Sequence, residues 1–408
     1  MEKRRFRIAG VEDYEQYIGA KAVERIIKKA KNLSDFHIAN VNSTYYGGGV
    51  SEILASKTLL MNSLGIKTGW RVLHGSPEFF TITKKMHNAL QGGKINLSKR
   101  KMQIFEDIIF ENAVRNHLEH DIVVIHDPQP LPMVEHYRKR GPWIWRCHID
   151  LSNPSRGIWD YLLRFVEKYD AVILSLEEYR KRLAGPQLFF MPAINPFSLK
   201  NRELKEEEID ERLKHYRIPT DLPLVVQVSR FDKWKDPEGV IRAFKLAQKE
   251  VDCTLVLLGS VATDDPEGPM VYESLMGHRS ERIIILSHQD SVLVNALQRR
   301  AAVVVQKSTR EGFGLTVAEA MWKGAAVIGG NVGGIRCQIE DGVNGFLVSS
   351  IGEAAARIVQ LVKNKRLRKE MGQRAKETVR EKFLMTRLVE QYIDMYSAFE
   401  ASYRLPGR

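Results

Sequence analysis

Cysteine is scarce: Cys147, Cys253 and Cys337 are the only three in 408 residues, and they lie far apart. Neither a disulfide framework nor a CxxC or zinc-type cluster can be built from them. A reducing, cytoplasmic setting is therefore expected, with each cysteine a small buried or half-buried residue. No apolar run of about eighteen residues occurs, which argues against a transmembrane helix. The basic start MEKRRFRIAG lacks the apolar stretch of a secretory signal. Asp-x-Asp is missing too, and the adjacent Asp264-Asp265 before Pro266 reads as a turn and helix cap rather than a metal-ligand pair.

What is abundant is charge. The formal balance of +12 invites a nucleic-acid reading, but the cations are interleaved with glutamate, as in ELKEEEIDERLKHYR. Mixed signs of this kind make a solvated helix face. No helix-turn-helix, zinc finger or RNP-like motif accompanies them, so no nucleic-acid partner is expected. A basic surplus suits phosphorylated small-molecule ligands, and abundant Lys, Arg and Glu with few Cys suits a thermophile.

A hydrophobic share of 44% over this length implies two packed domains. Six apolar runs, FHIANVN, KTGWRVLH, DIVVIHD, PWIWRCHID, DAVILS and QLFFM, alternate with helical stretches in the first half. PLVVQVSR, CTLVLLGS, RIIILSH, AAVVVQKS and AAVIGG do so in the second. Strand and helix in alternation predict a parallel sheet covered on both faces, here twice. The proline-bearing, charged stretch 192–222 predicts the connection between them. Residues 1–215 are expected to form one Rossmann-like domain, completed by a C-terminal helix over 384–408, and residues 216–383 the other. The extra helix over 11–31 carries Ile18, Ala22, Val23, Ile26 and Ala30 on one face and is expected to dock on its own domain rather than on a membrane. Parallel sheets bind ligands at the carboxyl ends of their strands, so two facing sheets predict an interdomain cleft.

Chemistry-bearing residues fall at those strand ends. Glu311-Gly312-Phe313-Gly314-Leu315 follows AAVVVQKS and opens the helix that carries Glu319. The glycines let backbone approach a ligand, and the helix start aims amides and positive dipole at it. Arg230 and Lys235 follow the first strand of the second half, where a guanidinium fork and a mobile ammonium suit a pyrophosphate. Gly48 and Gly49, with Gly47, open a helix after the first strand, a weaker phosphate or sugar signal. His126 and Asp127 end DIVVIHD, while His148 and Asp150 end WIWRCHID; such polar groups cost desolvation unless bound to something. A core or capping role for either histidine remains the competing reading.

The order Ser-x-x-Glu-Gly-Phe-Gly-Leu, Glu-Ala, Gly-Gly and Asn-Gly-Phe-Leu-Val resembles the retaining glycosyltransferases of the GT-B fold, family 4 type. Ala326 stands where such chains often carry proline, with no consequence expected for chemistry. Together with STYYGGGVSEIL, HDPQPLP and RCHIDLSNPSRG, the whole chain is similar to the trehalose glycosyltransferring synthases and the related trehalose phosphorylases. The resemblance implies transfer of glucose from a nucleoside diphosphate glucose to free glucose, with no metal in the chemical step and Mg2+ at most an aid to substrate binding. It places Arg230, Lys235 and the Gly312–Leu315 amides on the diphosphate, Glu311 and His148 on the donor sugar, and Glu319 on the ribose. Gly48 and Gly49 face the donor phosphate, and His126, Asp127 and Asp150 the acceptor. Retention by double displacement or by same-face attack, a phosphorylase reaction, and a different sugar or lipid acceptor stay open. A homodimer is the expected assembly.

Overall fold

The computed structural model describes residues 8–46, 48–260 and 267–403. Helices α1 (Glu15–Ile18) and α2 (Ala20–Ala30) precede β1 (His37–Asn42), α3 (Gly49–Ser63), β2 (Lys67–Val72), α4 (Pro77–Leu90) and α5 (Lys99–Arg115). Then come β3 (Ile122–His126), β4 (Trp143–Arg146), α6 (Arg156–Val166), β5 (Ala171–Leu174) and β6 (Gln187–Phe189). All six strands are parallel, in the order β2-β1-β3-β4-β5-β6.

The second series runs α7 (Glu206–His215), β7 (Leu224–Arg230), α8 (Pro237–Ala247), β8 (Thr254–Ser260), α9 (Gly268–Met276), β9 (Ile283–Ser287) and α10 (Ser291–Arg300). It continues through β10 (Val303–Gln306), α11 (Leu315–Trp322), β11 (Val327–Gly330), β12 (Phe346–Val348), α12 (Ile351–Lys363), α13 (Lys365–Lys382) and α14 (Met385–Tyr403). Its strands are parallel in the order β12-β11-β10-β7-β8-β9, the doubly wound arrangement of a Rossmann fold. The expected pair of covered parallel sheets is present. Continuous Val/Ile runs such as β3, buried along its whole length, fit a sheet sheltered on both faces.

Two elements depart from the sequence reading. β12 is a three-residue edge strand after the Asn344-Gly345 turn, too short to stand out as an apolar run. The other is α4, whose PEFFTITK start is rich in aromatic and β-branched residues but whose cap, Ser76 accepting from the Phe79 amide with Pro77 in the first turn, is well formed.

Helix α2 buries Val23, Ile26 and Ala30 in one cluster with Leu388, Val389, Tyr392 and Ile393 of α14 and with Ile38, Val124 and Ile144 of the first sheet. Arg25 and Lys29 both bond Glu390. Exposed pairs of this kind add only about 0.2–1 kcal/mol each, so the apolar face sets the docking. Among the described residues no helix is long and apolar enough to cross a membrane. Cys147 and Cys253 are buried as expected, whereas Cys337 is exposed.

The chain passes between the halves at two adjacent places. Ile194 donates to the Phe383 carbonyl at 2.8 Å and accepts from the Met385 amide at 2.9 Å, so the two crossings pair side by side. Other contacts lock the halves face to face. Lys84 on α4 and Asp232 after β7 form a buried ion pair at 2.9 Å. Asn88 donates to Glu267 at 3.0 Å and accepts from the Trp234 indole at 3.2 Å. Tyr179 donates to the carbonyls of Glu311 and Gly312.

Candidate active site

Each sheet reverses its winding once, between β1 and β3 in the first and between β7 and β10 in the second. Ligands bind in the crevice at such switch points. Here the two crevices face each other across one cleft of about 670 Å³, within the range of roughly 300–1,000 Å³ usual for small-molecule sites. Gly48, Gly49, His126, Asp127 and His148 line it from the first half, and Arg230, Lys235, Glu311 to Leu315 and Glu319 from the second.

Two helices start at this cleft. Gly48 caps α3, and Gly314, at φ +87°, caps α11 in a left-handed conformation open to glycine. The Leu315 side chain of α11 lies against Gly49 of α3, so both positive helix ends converge on one place. The Gly312 backbone presses on the end of β4: a Cβ there would sit 2.2 Å from the His148 carbonyl oxygen.

Cations surround that point. Arg230 ends β7, its Nη2 3.9 Å from the Asp232 carboxylate. The Lys235 ammonium bonds Glu311 Oε2, which also accepts from Ser308 Oγ at 3.2 Å. Asp232 is buried, which alone would raise its pKa. The Lys84 and Arg230 charges outweigh burial and hold the carboxyl well below its usual range.

Glu319 is 2% exposed, and its Oε2 has no hydrogen-bond partner of ordinary geometry. Burial pushes its carboxyl up to about 7 against the pull of Lys200 and Lys323, and the nearby Glu52 carboxylate adds to the rise. Lys200, from the connecting segment, bonds Glu52 of α3 and lies 3.7 Å from Glu319 Oε1. A buried carboxylate oxygen without a donor is costly to hold and is shaped for hydroxyls brought by a ligand.

On the opposite wall His126 Nδ1 lies 3.0 Å from His148 Nε2, and burial drives both imidazoles well below their ordinary pKa. Asp127, at φ +64°, accepts from the His148 amide at 2.7 Å. Asp150 is not among the residues lining the cleft: it is buried and its Oδ1 accepts from the Ser152 amide at 2.9 Å, an Asx-type turn. Sequence reasoning missed α4, which sends Lys84 and His87 to the cleft, with Gln91 just past its C-terminal end. The only local signal was its Ser76-Pro77 start. Among the described residues no cluster of three or more His, Cys, Asp or Glu is placed to hold a metal; Asp264 and Asp265 lie outside the described residues.

Two facing Rossmann-like sheets with cations and a helix start at the cleft define a GT-B glycosyltransferase, and the comparisons agree. Residues 208–378 match the glycosyl transferases group 1 family, and residues 40–181 match the trehalose synthase N-terminal domain. A trehalose-6-phosphate synthase structure from Burkholderia multivorans superposes with a TM-score of 0.71 at 14% identity, covering 90% of this chain and 99% of that one. A trehalose synthase of Thermococcus litoralis is 44% identical over 95% of this chain and 97% of its own length. A trehalose phosphorylase of Pleurotus pulmonarius is 25% identical over 84% of this chain and 54% of its own. The chain belongs to the trehalose synthase family of glycosyltransferases.

Proposed function

We propose that this enzyme joins glucose from ADP-, UDP- or GDP-glucose to free glucose, reversibly, giving α,α-trehalose and the nucleoside diphosphate. The observation that carries this reading is the convergence of Arg230, Lys235 and the α11 N-terminus at the point where α3 also begins. As the C1–oxygen bond to the diphosphate breaks, negative charge grows on the β-phosphate. Groups already aimed at that charge lower the barrier, and here two side chains and the Gly312–Leu315 amides supply them without a metal in the chemical step. Any Mg2+ serves substrate binding alone.

Glu311 holds hydroxyls of the donor sugar, and its ion pair with Lys235 keeps both groups in register. Glu319 takes the ribose hydroxyls, which supply the donors its Oε2 lacks. His148 meets the donor sugar's 6-hydroxyl, and Asp127, with Lys84 and His87 of α4 and Gln91 after it, shapes the acceptor side. The C1 hydroxyl of the acceptor glucose attacks from the face the diphosphate leaves, and its proton passes to the departing phosphate oxygen, so configuration is retained. In this reading residues 1–215, with the helix from 384, hold the acceptor, and residues 216–383 hold the donor.

Incubation with glucose and each nucleoside diphosphate glucose, with and without EDTA, tests the proposal. An α,α-linked disaccharide formed in both conditions is the expected product. Trehalose consumed with inorganic phosphate but not with a nucleoside diphosphate would make the enzyme a phosphorylase and refute the assignment.

A further inference from the structure

Behind His148 runs a file of buried polar groups that the reaction described above does not use. Lys57 on α3 is 1% exposed, and among the described residues no carboxylate lies within ion-pair distance of it. Its ammonium sits over the Tyr392 ring of α14 at 3.9 Å and donates to Asn40 Oδ1 at 2.7 Å. Burial and the Arg146 charge push its pKa down to about 7. Holding an amine in such a place without a carboxylate beside it is expensive. Asn40, on β1, is fully buried as well.

The directions of these bonds follow from which atoms can donate. Asn40 Nδ2 faces the Gly69 carbonyl at 3.3 Å, which accepts only, and Oδ1 takes the Lys57 donor on the other side. The amide is thereby pinned with Oδ1 inward. That oxygen also lies 3.2 Å from His126 Nε2. A carboxamide oxygen cannot donate, so His126 Nε2 carries the proton. Burial, together with the Lys57 charge, keeps His126 neutral, which leaves its Nδ1 bare. Across 3.0 Å from that nitrogen is His148 Nε2, in a ring nearly parallel at 17° with centroids 5.3 Å apart, the arrangement of an in-plane N–H···N bond. His148 Nε2 must then be the donor. His148 is held neutral too, so its Nδ1 has no proton; among the described residues nothing is hydrogen bonded to that Nδ1.

We propose that Lys57 and Asn40 are positioning residues that fix the tautomer of His148, so that its ring offers the cleft an acceptor, Nδ1, and requires the sugar hydroxyl it meets to be the donor. The second half of this statement rests on the reading that His148 meets the donor sugar's 6-hydroxyl; the first does not. The consequence is a filter by hydrogen-bond polarity. A substituent at that sugar carbon which accepts but cannot donate is met by a lone pair.

Two readouts on the full-length enzyme separate the parts. The first is ring-15N histidine labelling with long-range 1H–15N correlation, the His148 signals being identified by their loss in His148→Gln. The Nε2–H tautomer is expected in the ligand-free enzyme. Asn40→Asp supplies a carboxylate that draws a second proton onto His126. His126 Nδ1 then donates, and the His148 proton moves to Nδ1. If Asn40→Asp does not fold, Lys57→Met replaces it: the amide is then held only by the Gly69 carbonyl, and a second His148 tautomer appears. An Nδ1–H signal in the unaltered enzyme, or an unchanged His148 pattern in the folded variant, overturns the relay.

The second readout is turnover of donors carrying 6-deoxy-6-fluoroglucose or 6-deoxyglucose. Fluorine accepts but does not donate, so both analogues should lose roughly ten- to a hundredfold in kcat/KM alike. Asn40→Asp should raise the fluoro donor above the deoxy donor. Analogues turned over as well as the parent, with the tautomer as expected, would remove the sugar from His148 while leaving the relay standing.

Discussion

Replacing Lys235 by alanine tests the charge argument most directly. Its ammonium lies at the carboxyl end of β7, ion-paired with Glu311 and 19% exposed. Two unit charges about 4 Å apart interact by roughly 4 kcal/mol at an effective dielectric of about 20. Partial exposure and the remaining Arg230 charge discount that figure to about 2–3 kcal/mol of stabilisation of the charge that develops on the departing diphosphate. Each 1.36 kcal/mol is tenfold in rate, so kcat should fall roughly thirty- to two-hundredfold. KM for glucose should hold, because in the proposed reading the acceptor lies on the other wall. Lys235→Arg should recover part of the loss. Steady-state kinetics with saturating donor, alongside a thermal melt, is the assay. Glu311 keeps its Ser308 bond but loses its counter-charge in the variant, so a lowered melting point is expected and the kinetics are measured well below it. A folded Lys235→Ala enzyme with kcat lowered less than about threefold would refute the argument.

Other expectations follow from single contacts. Glu319 has its pKa raised in the folded protein to about 7, so the stability this group contributes is present at acid pH and lost as pH rises through about 7 in the ligand-free enzyme. Nucleoside diphosphate affinity should rise over the same window as the carboxylate forms, and calorimetry should find Glu319→Gln weaker and flat with pH. Gly312→Ala puts a Cβ 2.2 Å from the His148 carbonyl, so the loop must withdraw; a cost of about 1–3 kcal/mol and a sharp loss of kcat/KM are expected from denaturant titration and kinetics. Lys84→Met leaves the buried Asp232 without its main counter-charge, and unfolding free energy should fall by about 3–5 kcal/mol.

The strands were legible because a sheet buried on both faces is written in near-continuous apolar residues, as β3 is from Ile122 to Ile125. The cleft residues on strand ends were legible for a related reason: Arg230, His126 and His148 interrupt or end such runs, and Glu311 opens a glycine loop directly after one. Position at a strand end was still insufficient, since Asp150 turns to its own backbone. Helix α4 escaped because Phe79, Phe80, Thr81 and Thr83 blur its period, and with it went Lys84, His87 and Gln91. No sequence pattern marks Asn40 and Lys57 either. Their meeting depends on β1 lying beside β3 with α3 folded over both, a long-range fact that local spacing does not carry.

Helix α14 has a consequence for how the molecule is made. Ile38, Val124 and Ile144 on one face of the first sheet share their buried cluster with residues 385–396. During synthesis those later residues leave the ribosome only after every strand of both sheets has emerged. The half of the protein made first therefore waits with part of an apolar flank uncovered, beyond what α2 and α3 shelter, until the half made second has emerged.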